Sequence, residues 1–227
     1  MSDFVYIALL LVLMVLSAIA SSAVTRKFNK YAQVRAACGM SADRVAQQLL
    51  TTHGSGVTLQ QVSGSLTDHY NPSAGTVGLS QAVYGSTSVS ALAVAAHEIG
   101  HVLQYQEGYG LIKLRNAILP TANIGSMFAP YIVIFGLLLG SYPLALVGVC
   151  LYAVMLLFQV ATLPVEFDAS HRGMEMLLEG GYISADQESM AREVLRAAAM
   201  TYVYSALATL VSFLRLLNIA TRARRRN

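Results

Sequence analysis

Residues 116–165 read NAILPTANIGSMFAPYIVIFGLLLGSYPLALVGVCLYAVMLLFQVATLPV, an unbroken stretch without Asp, Glu, Lys or Arg. As one straight helix it would reach about 75 Å, more than twice the hydrocarbon thickness of a bilayer. It is therefore read as two membrane spans, roughly 118–139 and 143–163, turning at Gly140-Ser141-Tyr142-Pro143. Pro120 and Pro130 are placed to kink the first span, and Pro164 to close the second.

Two further runs lack charge, residues 4–25 and 197–214. Each is long enough for one crossing. The first is followed by Arg26, Lys27 and Lys30 rather than preceded by a basic cluster. It reads as a retained anchor, not a cleaved signal peptide. Charged residues make up only 12% of the 227-residue chain and mean hydropathy is +0.54. Soluble domains carry roughly a quarter charged residues, so a purely soluble enzyme is not expected, and neither is disorder. A scattered net charge of +3 gives no nucleic-acid footprint. Cys38 and Cys150 suggest neither a disulfide framework nor a thiolate metal site.

The polar minority falls in two stretches. Residues 26–116 are rich in Ser, Thr, Gln and Gly. Ser41 is a plausible N-cap for a short helix over 41–53, with Val45, Leu49 and Leu50 on one face and Gly54 and Gly56 at its end. VTLQQV, LTDHY and TVGLS follow as short strands, with a turn at Asn71-Pro72. Residues 75–80 are read as an edge that an extended peptide could pair with. Ser86 to Ser88 then offer N-caps for an Ala-rich helix over 89–107. In the second stretch, Ser184 and Gln187 have capping-box spacing, starting a helix that runs on into the last span near Leu217.

The Ala-rich helix contains His97-Glu98-Ile99-Gly100-His101, an H-E-x-x-H motif. Residues i and i+4 share a helix face, so both imidazoles can hold one Zn²⁺. Zinc lowers the pKa of a coordinated water toward about 7, and Glu98 is placed to take its proton. Gly100 leaves one side of the helix thin enough for a close neighbour. The other reading, two histidines satisfied within a core, burdens an apolar helix with three ionisable groups. A catalytic zinc needs a third protein ligand and an open position. Glu166, Asp168, His171, His69 and His53 are the candidates. If 118–139 and 143–163 each cross once, residue 166 returns to the face that holds His97, so Glu166 is topologically allowed.

Several segments together resemble the YugP-like family of membrane-associated neutral zinc metallopeptidases. They are Asp68-His69-Tyr70-Asn71-Pro72, Val77-Gly78-Leu79-Ser80, Ala95-Ala96 with the motif, and Leu163-Pro164-Val165-Glu166-Phe167-Asp168-Ala169-Ser170. Val194 to Leu217 matches in character, so the resemblance covers nearly the whole chain. A more distant likeness is to the HtpX-like membrane proteases. The family resemblance implies a gluzincin-type site, with His97, His101 and Glu166 as zinc ligands and Glu98 as base. His171 departs from an arginine-rich continuation expected after Ser170.

Around that site His69 is read as a donor to the developing oxyanion, and Asp168 as an acceptor that orients a ligating imidazole. Tyr84 is a weaker candidate, and His53 is expected in solvent. The expected organisation is an anchor over 1–25, a zincin-like α+β region over 26–116, a helical hairpin over 117–164, a polar segment over 165–197 bearing the third ligand, and a last span with basic tail over 198–227. The chain is thus expected to be a mainly α membrane protein, a Zn²⁺ endopeptidase acting on peptide or protein substrates. It would sit in the lipid bilayer, with no nucleic acid, beside a membrane-protein partner or a second copy. The alternative is a scaffold or regulator with structural zinc. A transporter would carry ionisable residues inside its spans, which 116–165 lacks.

Arg26, Lys27, Lys30, Arg35, Arg44, Lys113, Arg115, Arg172, Arg192 and Arg196 lie on the face of the two polar stretches. The positive-inside rule then favours a plasma-membrane protein with its active site toward the cytoplasm. The terminal Arg222-Ala223-Arg224-Arg225-Arg226 argues the other way, unless the last apolar segment lies in the membrane plane.

Overall fold

The computed structural model describes residues 3–53 and 56–224. Gly54, read above as part of a helix end, and the terminal Arg225 and Arg226 lie outside the described residues. The elements in order are α1 (Asp3–Tyr31), α2 (Ala42–Thr52), β1 (Thr58–Val62), β2 (His69–Asn71), β3 (Thr76–Ser80), α3 (Val89–Gln106), α4 (Gly110–Leu138), α5 (Tyr142–Glu179) and α6 (Ala185–Arg224). The chain is mainly α, with one small sheet. Among the described residues four helices, α1, α4, α5 and α6, are long and apolar enough to cross a membrane.

One compact unit comprises residues 1–19, 110–164 and 201–227. Within it α4 and the first part of α5 form the expected hairpin, and Gly140 takes the left-handed φ of 66° at its turn. Small residues allow the close approach. A Cβ on Gly136 would stand 2.4 Å from the Ala145 backbone nitrogen, and one on Gly125 would stand 2.6 Å from the Leu151 carbonyl oxygen. Helices in lipid gain little from burying apolar surface against each other, so backbone-to-backbone packing through small residues holds them. Pro120 and Pro130 lie inside α4. Arg215 near the end of α6 is ion-paired with Asp3 at the start of α1.

The second unit comprises residues 20–109 and 165–200. Its core is built from the apolar face of α2 (Val45, Leu49), from β3 (Val77, Leu79), from α3 (Leu92, Ile99, Val102) and from Leu177 and Leu195 of α5 and α6. The sheet has the order β1-β3-β2, with β1 parallel and β2 antiparallel to β3. This corrects the reading of residues 75–80 as an edge. β3 is paired with β1 over Thr76–Ser80 and with β2 over Thr76–Gly78, so it lies between two strands rather than at the edge. Its run of buried residues is what a central strand requires.

A second correction concerns Pro164. α5 does not end there but continues to Glu179. A proline inside a helix removes one backbone bond and costs roughly 3 kcal/mol. Beyond it, Val165 and Ala169 are wholly buried, and their packing offsets that cost. The helix begun after Ser184 likewise runs unbroken through the last apolar segment, to Arg224.

Candidate metal centre

α3 starts where the hydroxyl of Ser88 accepts a hydrogen bond from the Ala91 backbone N–H at 3.3 Å. It ends before Gly108, whose φ of 67° redirects the chain toward α4. One face of α3 carries His97 and His101, and α5 packs against it at unusually short range. A Cβ on Gly100 would lie 2.3 Å from the Ala169 carbonyl oxygen. One on Gly173 would lie 2.8 Å from the Ala96 carbonyl carbon and oxygen. Two glycines, one on each helix, thus let the backbones touch on either side of the motif.

Gly100→Ala is accordingly expected to destabilise the protein. Alanine favours a helix interior over glycine by about 1 kcal/mol. The clash is with a backbone carbonyl that cannot rotate away, and overpacking of this kind costs typically 1–3 kcal/mol or more. The thermal midpoint and the zinc content of the purified variant should both fall. Gly110→Ala, whose Cβ would meet nothing within 4 Å, should leave both unchanged or slightly improved.

The close crossing brings Glu166 to the two imidazoles. Its carboxylate oxygens lie 3.5 Å from His97 Nε2 and 3.8 Å from His101 Nε2. One donor atom from each of the three residues lies within 4.8 Å of the other two. Ligands about 2.0–2.2 Å from a tetrahedral Zn²⁺ are themselves about 3.3–3.6 Å apart, so the two Glu166–imidazole distances already come close to that spacing and the third lies within 4.8 Å. The chemistry of the set also fits. Glu166 and Glu98 are both buried, at 5% and 7% exposure. Two buried carboxylates beside two imidazoles make a donor set that a bound cation would neutralise.

The far sides of both rings are held as well. His97 Nδ1 is 3.0 Å from the Ser170 hydroxyl of α5. His101 Nδ1 is 3.0 Å from Gln104 Oε1. The Gln104 amide nitrogen donates to the Val165 carbonyl (2.7 Å) and to Asp168 (2.8 Å), two groups that only accept. That fixes the amide so that its oxygen faces His101, placing the proton on Nδ1 and leaving Nε2 for a metal. Asp168 is held in turn by Arg172 (2.6 Å), which also reaches Glu107 (2.6 Å). Sequence reasoning assigned no role to Gln104 or Ser170. Gln104 is three residues after His101 on the same helix face, a usable signal, whereas Ser170 is recognisable only once α5 is seen to continue past Pro164.

Burial pushes the Glu98 carboxyl up to about 7. The Asp68 and Glu166 charges add to this, against the opposing pull of His97 and His69. Burial opposes a charge on His97, yet its contact with Glu166 and the charges of Glu98 and Glu166 leave its pKa raised. His69 is thus near enough to influence Glu98. It lies on β2 opposite Gly78, where a Cβ would come within 2.9 Å of the His69 ring, and its Nδ1 is 2.9 Å from the Thr67 carbonyl. Asp68 accepts hydrogen bonds from the Ser80 backbone N–H (2.7 Å) and hydroxyl (2.8 Å), which ties this segment to β3.

The remaining candidates stand apart from the trio. His171 is exposed and 3.2 Å from Glu175. Asp168 reaches His101 only through Gln104. Tyr84 and His53 are exposed. Cys38 and Cys150 are free thiols in different units.

Residues 6–221 match the model of a family described as "Putative neutral zinc metallopeptidase". The chain is also 42% identical over 205 residues to "Putative membrane protease YugP" of Bacillus subtilis (strain 168), covering 90% of this chain and 91% of the relative. No solved structure matches. The chain therefore belongs to the neutral zinc metallopeptidase family of YugP-like membrane proteins.

Proposed function

We propose that this member of the family is a membrane-bound, zinc-dependent endopeptidase. The observation that carries the reading is the convergence of His97, His101 and Glu166 beside the buried Glu98. His97 and His101 would hold the ion through Nε2 and Glu166 through its carboxylate. Zinc, when held there, supplies a Lewis acid that acidifies a water molecule and polarises the scissile carbonyl. Glu98 accepts the proton of the attacking water and delivers it to the leaving amine. Glu98 is buried beside the first imidazole, close enough to the proposed ion to carry out both transfers. His69 is assigned the donor to the oxyanion. Gln104, Ser170 and Asp168 keep the two imidazoles in register.

A structural-zinc scaffold is the second reading. It calls for four protein ligands, whereas three donors converge among the described residues. Three ligands leave a position for substrate, which favours the enzyme.

In the proposed organisation, the anchor over 1–25, the hairpin over 117–164 and the last span over 198–227 hold the catalytic region over 26–116 together with the segment over 165–197. Four crossings put residues 3 and 215 on the same face, and the Asp3–Arg215 ion pair supports that arrangement. The active site would face the cytoplasm from the plasma membrane, as the basic residues of the polar stretches favour.

The test is hydrolysis of casein by the full chain purified in detergent. Chelation should abolish cleavage, and stoichiometric zinc should restore it. Cleavage that survives metal removal, or a zinc-loaded protein that cleaves no peptide, would reject the reading.

A further inference from the structure

Within the unit that carries the metal centre, α5 and α6 line an open cavity of about 500 Å³, touched by none of the three metal donors or Glu98. That volume is typical of small-molecule sites. Met174, Leu195 and Ala199 supply its buried, apolar part, and exposed Phe167 extends the apolar wall outward. Arg192 and Arg196 line the same cavity with exposed side chains.

The two arginines are four residues apart on α6, so both guanidiniums lie on one helix face. Arg192 donates its Nε to Glu188 at 2.7 Å, which leaves its terminal nitrogens to act as donors. Arg196 has no hydrogen bond or ion pair among the described residues. Glu193, the one carboxylate in the lining, is neutralised from the side by Lys27 and by the Tyr31 hydroxyl at 2.8 Å. The cavity therefore offers an anion the guanidinium of Arg196 and the terminal nitrogens of Arg192, while its lining carboxylate is already engaged by Lys27 and Tyr31.

Its place along the chain adds a second constraint. α5 begins to line the cavity at Phe167, three residues past Pro164. α6 last lines it at Ala199, two residues before Thr201. Residues 164 and 201 are where these helices pass into the unit of uncharged segments. Both helices thus line the cavity next to the long apolar segments that are candidates to cross a membrane.

We propose that this cavity is a binding site for an anionic phospholipid. The phosphate is held by Arg192 and Arg196, and the upper acyl chain lies against Phe167, Leu195 and Ala199. Basic pockets between helices at the membrane surface recognise acidic headgroups on these terms. Ser170 also lines the cavity, and its hydroxyl is the partner of His97. The bound lipid therefore bears on the orientation of a metal ligand. That coupling rests on the metal-centre reading, whereas lipid binding itself does not.

The full chain, purified in neutral detergent, is titrated with phosphatidylglycerol, phosphatidylcholine, inorganic phosphate or casein-derived peptide. Binding is read by native mass spectrometry and by the thermal midpoint. Phosphatidylglycerol should bind about tenfold or more tighter than phosphatidylcholine and raise the midpoint. Arg196→Gln removes no contact within the protein, and should weaken phosphatidylglycerol binding several-fold at unchanged zinc content. Arg192→Gln with Arg196→Gln should reduce it to the phosphatidylcholine level, while Arg44→Gln should have no effect. Equal binding of the two lipids, or an undiminished preference in the double variant, would overturn the proposal. So would inorganic phosphate binding as tightly as the lipid, or displacement of the lipid by peptide. If the lipid binds as expected while zinc-dependent cleavage fails, only the coupling to His97 falls.

Discussion

Glu98→Gln is expected to retain zinc and to lose proteolysis, with kcat lowered by about 10²–10⁴-fold. Glutamine keeps the shape of the side chain but cannot accept the proton of the attacking water. The three proposed zinc donors, His97, His101 and Glu166, are untouched. Equal zinc content in the two proteins, measured by elemental analysis, would separate the proton-transfer role from a ligand role. A variant that cleaves casein at the wild-type rate would remove Glu98 from the mechanism. The same substitution has a readout independent of catalysis. In metal-free protein the folded-state pKa of Glu98 stands at about 7, above its ordinary value of 4.5. A carboxyl raised in this way supports folding below its unfolded pKa, and that support is lost as pH rises through about 7. Glutamine carries no such charge. The gain in thermal midpoint of metal-free Glu98→Gln over wild type should therefore be small near pH 5 and larger at pH 8.

Glu166→Ala is expected to lose zinc. Removing a partner that only orients a ligand lowers metal affinity by about 10–100-fold, and removing a ligand should exceed that. Chelator competition should show at least a 100-fold weaker zinc affinity, with casein cleavage lost at substoichiometric zinc. Misfolding is separable from this loss. Without the ion, Glu166 is buried at 5% exposure against His97 and His101, so Glu166→Gln, which keeps the side chain's volume and can still hydrogen-bond, should stay folded while its zinc affinity falls. Asp168→Ala should weaken zinc only modestly, because Asp168 acts through Gln104. Full zinc occupancy in Glu166→Ala would assign the third ligand elsewhere.

Much of the fold was legible because lipid imposes simple rules. A run without charge from 116 to 165 can only be two helices, and Gly140 before Pro143 marks their turn. The H-E-x-x-H spacing puts two imidazoles on one face of any helix, whatever packs against it. Local signals misled where burial outweighed them. Pro164 reads as a helix end, but the buried Val165 and Ala169 carry α5 through it. Residues 76–80 read as a strand of unspecified position. That they are central follows from β1 and β2 pairing to either side, and no local pattern encodes which strands will meet.

The sequence by itself determined the four long apolar helices and the motif helix. Each of these depends on periodicity or on charge counted along the chain. Tertiary structure alone decided that Glu166 comes within 3.5 Å of His97, because that distance is set by Gly100 against Ala169 and Gly173 against Ala96. It alone decided that Ser170 holds the far side of the His97 ring. Contacts between residues some seventy positions apart depend on how closely two backbones approach, and here the absence of two side chains permits that approach.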